Sequence, residues 1–473
     1  MTPRRAFWIL AISSALLLLA PLRTGDLTGY DDALYAQEAK TILHTGDWIN
    51  VQVNGYPAME HPPGFVWMQA AMFSIFGISD TNARLPSAVC GLGTILLVYW
   101  LARRLLRDEL AAVVAMFVMA GSVYFVKYAS HGMTDVPFTF VFLCAICAWL
   151  LAQERAAWYF AVAFFTAYAL FTRGVVGLAL PMILMVLGIS ERESTRWRYA
   201  LPALAVAFLP VAAWYGHLIR VHGHVFWEVQ GNFVMSKVNG ELTQPWRRYT
   251  GAFEYAWMLM KSYWPWLPFL AIGIVTTIRQ RDRRLHVLLI WSAIMFAVCA
   301  AGGSRVLRYL LPAYPAFSIL AAVGLMQAIP VRYLLTGLNW LVPAGAVVCA
   351  GIALFPPTVL HAAEIRPIAT ALQSTTASDE RIAFYDGGQP RFDEANQLQW
   401  YGDRNFYVLL KREDFENALR GPLSRVFIVD IKTYQEYGSA FRDYEVVVQS
   451  GHLVCLRNPG ILAGNLARQI LIK

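Results

Sequence analysis

Two adjacent carboxylates open a helix-like stretch near the amino terminus, in the sequence GYDDALYAQE. An aspartate before such a run normally caps the helix, because its side chain accepts hydrogen bonds from the first unpaired amides. A positioned carboxylate also acts as a general base that removes a proton from an attacking hydroxyl or amine. Successive helical residues point about 100° apart. We therefore expect only one of Asp31 and Asp32 to face a reacting group, while the other caps the helix or binds a cation.

Other charged side chains beside the apolar segments fall into two complementary sets. The first combines carboxylates with histidines and comprises Asp31, Asp32, Glu60, His61, His131 and Asp135. The second is cationic and comprises Arg173, Arg305 and Arg308, with Lys127, Arg247 and Arg248 as further candidates. A carboxylate activates an acceptor, and cations stabilise a phosphate that leaves. The two sets indicate a reaction with an anionic leaving group that is held in a membrane.

The composition of the chain indicates that these residues belong to a membrane protein. The 473 residues are 57% hydrophobic and 15% charged, and the mean hydropathy is +0.45. Soluble domains are about 45–50% apolar and about 25% charged, so we predict a polytopic membrane protein. The net charge is +8, and the arginines lie in short runs between apolar segments. This pattern indicates that the arginines set the membrane topology. We therefore predict no nucleic-acid partner. The six cysteines are predicted to be core residues.

Eleven apolar runs have the length that crossing a bilayer requires, about 20 residues. They are Phe7–Leu22, 86–106, 110–128, 136–152, 157–172, 174–190, 200–218, 263–278, 285–301, 309–329 and 337–355. Arginines in alternate connections mark one side as cytoplasmic, namely Arg4, Arg5, Arg103, Arg104, Arg107, Arg155, Arg192, Arg196, Arg198, Arg279, Arg281, Arg283, Arg284 and Arg332. This orientation places the chain after Phe355 outside and requires a tight outside turn at Arg173-Gly174.

The predicted fold is therefore mostly α-helical and polytopic, with a small α/β domain outside the membrane. Residues 1–355 form the transmembrane domain, and its long outside loops, 24–85 and 219–262, carry amphipathic helices along the membrane surface. In residues 356–473, the sequences RIAFYDG and RVFIVDI predict buried strands with a helix between them, and EVVVQSGHLVCLRN predicts a terminal hairpin. No glycine-rich phosphate loop supports nucleotide binding there.

An ordered series of motifs resembles the GT-C glycosyltransferases, in the group of the lipid A aminoarabinose transferases and the dolichyl-phosphate-mannose protein O-mannosyltransferases. The motifs are DDALYAQEAKTILHTGDW, NGYPAMEHPPGFVW, NARLPSAVCGL, TDVPFTF, LFTRGVVGLALP and RYLLPAYPAF. They span about the first 330 residues in the order that the group has. The resemblance implies the GT-C fold with an external tail domain.

The resemblance also implies roles for individual residues. Asp31 matches the catalytic base, with Asp32 beside it, and Asp135 matches the second catalytic aspartate. Arg173 and Arg305 match lysines that hold the donor phosphate, a role that we extend to Arg308 and His61. Glu60 matches a position that helps to bind a metal in some relatives, so a divalent metal is a candidate cofactor. Weaker candidates for substrate contacts are Tyr35, Asn232, Arg247 and Tyr309.

The sequence differs from the group's pattern at two positions. Leu34 stands where relatives usually have an arginine, and His61 stands where many have a lysine. A histidine with an unperturbed pKa of about 6.5 is mostly neutral at pH 7, so phosphate binding would depend on the arginines. For Glu60 and His61, a hydrogen bond that only shapes the loop is an equally good interpretation.

The expected activity is inverting transfer of a sugar from a polyprenyl-phosphate carrier, with undecaprenyl phosphate as the expected lipid. The acceptor would be lipid A or lipopolysaccharide, another envelope glycan or a protein, on the periplasmic face of a bacterial inner membrane. A flippase or transporter of lipid-linked sugars is the main alternative, but it would need charges near the bilayer midplane. A receptor that senses through the tail domain is also compatible, although it leaves the DDALYA motif unexplained.

Overall fold

The computed structural model describes residues 1–191, 194–239, 250–358, 360–378, 380–388, 392–420 and 425–460. The chain forms two compact units. The membrane unit comprises Met1–Thr24, Met59–Met72 and Arg84–Pro357, and the C-terminal unit comprises Gly25–Ala58, Phe73–Ala83 and the chain from Thr358 onward. Most of the predicted outside loop 24–85 therefore packs with residues more than 270 positions later, a grouping that local sequence patterns do not reveal.

Helices dominate the chain as far as residue 354. In chain order they are α1 (Pro3–Leu19), α2 (Tyr30–Thr45), α3 (Gly64–Phe76), α4 (Asp80–Leu106), α5 (Glu109–Ala120), α6 (Val123–Ala129), α7 (Asp135–Ala152), α8 (Trp158–Arg173), α9 (Ala179–Ser190), α10 (Trp197–His222), α11 (His224–Asn239), α12 (Gly251–Ser262), α13 (Leu267–Gln280), α14 (His286–Ala301), α15 (Tyr314–Ala328) and α16 (Val331–Leu354). A 3-10 segment, Leu307–Ala313, precedes α15. Helix α3 lies in the predicted outside loop 24–85, and helix α12 lies in the predicted outside loop 219–262.

The mostly helical, polytopic fold is confirmed. Among the described residues, eight helical segments are long and apolar enough to cross a membrane, or nine if α5 and α6, which meet at 63°, form one span. Each of the eleven predicted apolar runs overlaps one or two helices. However, α13 has only 14 residues, and the stretch from Trp158 to Ser190 counts as one segment.

That stretch nevertheless reverses direction, as the predicted turn at Arg173-Gly174 requires. Near its start, the Tyr159 ring lies 5.8 Å from the Trp149 ring. Near its end, a Cβ atom on Gly188 would lie 3.3 Å from the same Trp149 ring. Both ends of the stretch therefore lie beside the end of α7, and the chain turns between them at Gly174, whose φ of 50° favours glycine.

Close helix packing in the membrane unit depends on small residues, as it does in many membrane proteins. Helices α13 and α15 cross at Gly273 and Gly324. A Cβ atom on Gly273 would collide with the carbonyl oxygen of Leu320, and one on Gly324 with that of Phe269. The two backbones approach so closely that any side chain at either glycine would push the helices apart.

The C-terminal unit is an α/β domain, as predicted. Its further elements are α17 (Ile365–Thr375), β3 (Arg381–Tyr385), α18 (Phe392–Gly402), β4 (Asn405–Val408), α19 (Arg412–Arg420), β5 (Val426–Asp430), α20 (Ile431–Glu436), β6 (Glu445–Ser450) and β7 (Leu453–Arg457), and a small hairpin of β1 (Gln52–Val53) and β2 (Tyr56–Pro57) comes earlier in the chain. The sheet order is β4-β3-β5-β7-β6. Strand β3 pairs in parallel with β4 and β5, while β7 is antiparallel to β5 and β6.

Alternating side chains of the central strands fill a core on each face of this sheet, which is the period-2 pattern of a buried strand. Ile382 and Phe384 of β3 pack in a cluster that includes Ile368 of α17. Ala383 and Tyr385 pack in a second cluster with Phe415 of α19. The sequence RIAFYDG is therefore apolar on both faces because helices cover both faces.

An ion-pair cluster ties the early segments of this unit to its carboxyl-terminal part. Arg366 of α17 donates from Nε to Asp26 Oδ1 at 2.7 Å, and its Nη2 lies 3.1 Å from Asp80 Oδ2. Tyr401 donates its hydroxyl proton to Asp80 at 3.0 Å and accepts from the Leu27 amide at 2.8 Å. Asp26 is 3% exposed, so its charge is stabilised inside the domain by Arg366.

Candidate active site

A buried carboxylate joins two arginines at one end of the membrane unit. Asp135 is 2% exposed and forms an ion pair with Nη2 of Arg173 through its Oδ1 atom. Its Oδ2 atom lies 3.9 Å from Nε of Arg308. One aspartate of the predicted acidic set therefore pairs with two arginines of the predicted cationic set.

The helices explain why these groups meet. Asp135 is the first residue of α7 and Arg173 the last residue of α8, and the two helices pack against each other. A carboxylate at a helix start and a cation at a helix end each complement the helix dipole. The antiparallel pair thus brings both favourable termini to the same end, where Arg308 arrives from the 3-10 segment before α15.

The ring of Tyr309 packs against the guanidinium group of Arg173. The Arg173 guanidinium lies 5.0 Å from the centroid of the Tyr309 ring, a distance at which the ring face attracts a cation. The side chain of Arg173 is 13% exposed and that of Arg308 is 22% exposed. One carboxylate and two guanidinium groups leave a formal charge of +1, which suits the binding of an anion.

Arg305 occupies a different setting from the other two arginines. Its Nη1 group donates to the backbone oxygens of Ala300, at 2.8 Å, and of Gly302. Its Nε lies 3.4 Å from Glu254 Oε2 of α12. These contacts hold the connection after α14 against α12, so Arg305 has a bracing role in this structure in addition to its predicted role at phosphate.

Glu254 is a partner that the sequence analysis missed. It is the one acidic residue in α12, whose sequence is GAFEYAWMLMKS. Because α12 also carries Lys261, its sequence does not distinguish a Glu254 that pairs with Arg305 from one on the polar face of an amphipathic helix.

The segment after Glu60 packs against the carboxyl end of α8. A Cβ atom on Gly64 would lie 2.8 Å from the backbone of Phe171, so only glycine permits this approach. Tyr168 of α8 donates its hydroxyl proton to the Gly64 carbonyl at 2.7 Å. A Cβ atom on Gly174 would lie 3.5 Å from Pro62 Cδ. The Pro62-Pro63-Gly64 turn therefore lies beside the helix end that carries Arg173.

The predicted residues next to this turn have contacts of their own. The His61 ring meets the ring of Phe233 edge-on, with centroids 4.7 Å apart. Phe233 belongs to α11, and its neighbour Asn232 is exposed. Glu60 is exposed. Arg247, the remaining weak candidate in that loop, lies outside the described residues.

The structure gives no direct support for a divalent metal at Glu60. A resident metal ion needs several converging ligands, and in the described parts of the chain Glu60 belongs to no group of three acidic, histidine or cysteine side chains with closely spaced ligand atoms. The one such group there is Asp386, Glu394 and His452, in the C-terminal unit. We therefore derive no step of a reaction through a metal at Glu60.

Asp31, Asp32 and Tyr35 belong to helix α2 of the C-terminal unit. Asp32 is fully buried, and its Oδ2 accepts from the amide and the hydroxyl of Thr28, at 3.1 and 3.0 Å. Asp31 is only partly buried, while Tyr35 is 3% exposed. The two neighbouring carboxylates thus differ in setting, because Asp32 is fully buried and bonded to Thr28 while Asp31 is less buried.

Comparisons with known proteins agree with the fold. The family profile described as dolichyl-phosphate-mannose-protein mannosyltransferase matches residues 60–216, which include Asp135 and Arg173. The undecaprenyl phosphate-alpha-4-amino-4-deoxy-L-arabinose arabinosyl transferase of Shewanella sediminis is 26% identical over 333 residues, which are 66% of this chain and 58% of that relative. An uncharacterized protein of Aquifex aeolicus is 24% identical over 62% of this chain and 58% of its own length. The matched regions thus span less than two thirds of these relatives.

Two solved structures resemble the whole chain. The apo structure of ArnT from Cupriavidus metallidurans aligns with a TM-score of 0.78 at 20% identity, over 98% of this chain and 100% of that one. The structure of the same protein bound to undecaprenyl phosphate aligns with a TM-score of 0.74 at 20% identity, over 97% and 99%. At this identity the likeness establishes the fold. The family profile and the curated relatives add a likeness in sequence to the dolichyl-phosphate-mannose-protein mannosyltransferases and to arabinosyl transferases that are named for undecaprenyl phosphate.

Proposed function

We propose that this protein transfers a sugar from a polyprenyl-phosphate carrier to an acceptor in the cell envelope, with inversion at the anomeric carbon. The observation that carries the proposal is the cationic cluster of Arg173 and Arg308 on the buried Asp135. It offers an anion site at one end of a membrane-spanning bundle, where the phosphate of a lipid carrier would lie. Undecaprenyl phosphate is the proposed carrier, because the matching arabinosyl transferases are named for it and because one similar structure holds it.

In the proposed reaction, an acceptor oxygen or nitrogen attacks the anomeric carbon from the side opposite the phosphate. The bond from that carbon to the phosphate oxygen breaks, and its electron pair leaves with the polyprenyl phosphate. Arg173 and Arg308 stabilise the negative charge that develops there. The acceptor proton passes to Asp31, the proposed general base.

Asp135 has a positioning role in this proposal. Its carboxylate already contacts two guanidinium groups, and a carboxylate in that setting holds cations in place rather than taking up a proton. Asp31 is the proposed base because the resemblance to the GT-C motif assigns that role to it, while Asp32 accepts hydrogen bonds from Thr28 at the start of α2. The proposed role of Arg305 at the donor phosphate is secondary to its bracing contacts.

The proposed location of the reaction is the periplasmic face of a bacterial inner membrane. The support is the run of arginines in alternate connections, which marks the opposite face as cytoplasmic. An activated donor on the outer side must be carried by a lipid, because nucleotide sugars are not available there. The acceptor proposed is lipid A or lipopolysaccharide, with another envelope glycan or a protein as alternatives.

Transfer and transport are distinguished by one assay on the purified protein in liposomes. The protein is incubated with a polyprenyl-phosphate sugar and an acceptor extract, and the free polyprenyl phosphate is measured. The proposal predicts polyprenyl phosphate and a glycosylated acceptor in equal amounts. A flippase would move the intact lipid between leaflets without releasing polyprenyl phosphate, and that outcome would refute the proposed function.

A further inference from the structure

A second charged site lies at the opposite end of the membrane unit. Asp135 begins α7, and the residues that follow α7 lie about 27 Å away along the helix. There a cavity of about 990 Å³ opens between the ends of α4, α7 and α9 and the connection before α14. We call it the arginine cavity, because Arg103, Arg104, Arg107, Arg283 and Arg284 line it.

The charge of this cavity is strongly positive. Of the residues that the structure describes, five arginines and two glutamates line it, which gives these groups a formal charge of +3 with both carboxylates ionised. Glu154 pairs with Arg104 at 2.5 Å, and burial raises the pKa of Glu191 above its usual range. Among the residues that the structure describes, Arg103, Arg107 and Arg283 form no ion pair. These three guanidinium groups are therefore available to an anion from outside.

Topology alone does not account for this arrangement. Arginines at the cytoplasmic ends of helices orient a membrane protein wherever they lie. Here, however, Arg103 and Arg283 come from segments about 180 residues apart and line the same cavity. Its volume lies near the upper end of the range for small-molecule sites, about 300–1,000 Å³.

The apolar part of the lining indicates what kind of anion fits. Trp100, Leu105 and Leu150 line the cavity together with the arginines. The Arg104 guanidinium lies 5.7 Å from the Trp100 ring, and tryptophan is enriched where a bilayer meets water. An amphiphile with a phosphate next to an acyl chain matches both parts of this lining.

We propose that the arginine cavity binds the phosphate head group of an anionic membrane lipid. Basic pockets between helices on the cytoplasmic side bind such head groups in other membrane proteins. A soluble phosphate compound has the same charge chemistry, but it would leave the apolar part of the lining uncovered. This site is separate from the proposed donor site, so it does not depend on sugar transfer.

Native mass spectrometry of the purified, delipidated protein tests the proposal. The protein is titrated with phosphatidylglycerol or phosphatidylcholine, and the bound lipids are counted. The double variant Arg103→Ala, Arg283→Ala is compared with a control, Arg279→Ala, Arg332→Ala, which removes two arginines assigned to the same side but outside the cavity. The variant Arg103→Lys, Arg283→Lys keeps the positive charge. If it still binds phosphatidylglycerol, the loss in the alanine variant is due to the missing charge and not to a change in the fold.

The wild type is expected to bind phosphatidylglycerol more tightly than phosphatidylcholine. Each cavity arginine should contribute about fivefold, so the double alanine variant should bind on the order of 25-fold more weakly. The control and the lysine variant should keep most of the preference. Equal loss in the control would refute a specific site. The lipid proposal would be overturned if the wild type showed no preference between the two lipids while inorganic pyrophosphate raised its melting temperature. That result would assign the cavity to a soluble ligand.

Discussion

Arg173 and Asp135 form a buried ion pair where the end of α8 meets the start of α7. Replacing either residue alone should lower the stability of the protein, because removing one partner of a buried pair leaves an uncompensated charge, at a cost of about 3–5 kcal/mol. Arg308 remains beside Asp135 when Arg173 is lost, so the cost here should lie at the lower end. The pair therefore links the stability of this end of the bundle to its capacity to bind an anion.

Replacing Arg173 separates these two contributions. Arg173→Ala should weaken binding of the polyprenyl-phosphate donor about 10- to 100-fold, because a charge-assisted hydrogen bond to phosphate is lost. Arg173→Lys should recover part of the affinity, since a point charge still pairs with phosphate. Donor binding is measured by titration in detergent, with the melting temperature recorded for each variant.

Arg198 provides a matched control for this substitution. It also stacks on a tyrosine ring, that of Tyr199, at 4.7 Å, but it is exposed. Arg198→Ala should leave donor binding unchanged. If Arg173→Ala binds the donor as tightly as the wild type, the phosphate site lies elsewhere.

The ion-pair cluster of the C-terminal unit yields a stability prediction. Arg366→Ala should destabilise the protein by about 1–3 kcal/mol, because Asp26 stays buried and loses its charged donor. Arg412 forms exposed pairs with Glu416 and Glu436, so Arg412→Ala should change the stability little. The melting temperatures of the two variants are compared by thermal unfolding. Equal melting temperatures would show that the contact of Arg366 with Asp26 does not stabilise the protein.

Much of this architecture follows from local sequence patterns. The apolar runs predicted the helices, RIAFYDG and RVFIVDI predicted the strands β3 and β5, and the hairpin around Ser450-Gly451 is formed by β6 and β7. Each of these features depends on periodicity or turn chemistry within a few residues. Such local signals predict the same helix or strand in any fold that buries the apolar side chains.

Pairing between distant residues could not be predicted in the same way. The sequence assigned Asp135 and Arg173 to two opposing sets, but their ion pair depends on how α7 and α8 pack. The same limit hid the contact of Asp26 with Arg366, which is 340 residues away, and that of Glu254 with Arg305. Many partners of either charge were available, and only the packed helices select among them.

Cys455 offers a probe of the C-terminal unit. Burial raises the pKa of its thiol from 9.0 to about 12, so the thiolate that reacts with maleimide is nearly absent at pH 8. In single-cysteine variants, Cys455 should react only when the domain unfolds, whereas a cysteine at the exposed Ser439 should react at once. Because the folded pKa is the higher one, this thiol contributes stability below pH 9, and the contribution is lost as the pH rises from 9 to 12. Rapid labelling of Cys455 in folded protein would contradict its buried position.

The proposed orientation predicts which residues an impermeant reagent reaches from outside. In bacterial spheroplasts, a single cysteine at Ser439 should be labelled by such a thiol reagent, while one at Asp282 should be labelled only after permeabilisation. The two positions lie in the C-terminal unit and in the connection before α14. The opposite labelling pattern would reverse the topology and exclude a periplasmic reaction.

The two carboxylates of GYDDALYAQE should differ in what they support. Asp32→Asn should lower stability by about 1 kcal/mol, because a buried acceptor at the helix start loses its charge. Asp31→Asn should leave the melting temperature and donor binding nearly unchanged, since Asp31 is less buried. Reversed phenotypes would move the assignment of the base to Asp32.

The most direct measurement is the rate at which wild-type protein and Asp31→Asn release polyprenyl phosphate from a polyprenyl-phosphate sugar, with acceptor present and donor occupancy matched. Loss of a positioned general base typically costs about 10²- to 10⁴-fold in rate. The wild type should release polyprenyl phosphate and glycosylate the acceptor, while Asp31→Asn binds donor normally and falls by that factor. Equal rates for the two proteins, or no release by the wild type, would contradict a glycosyltransferase that uses Asp31 as its base.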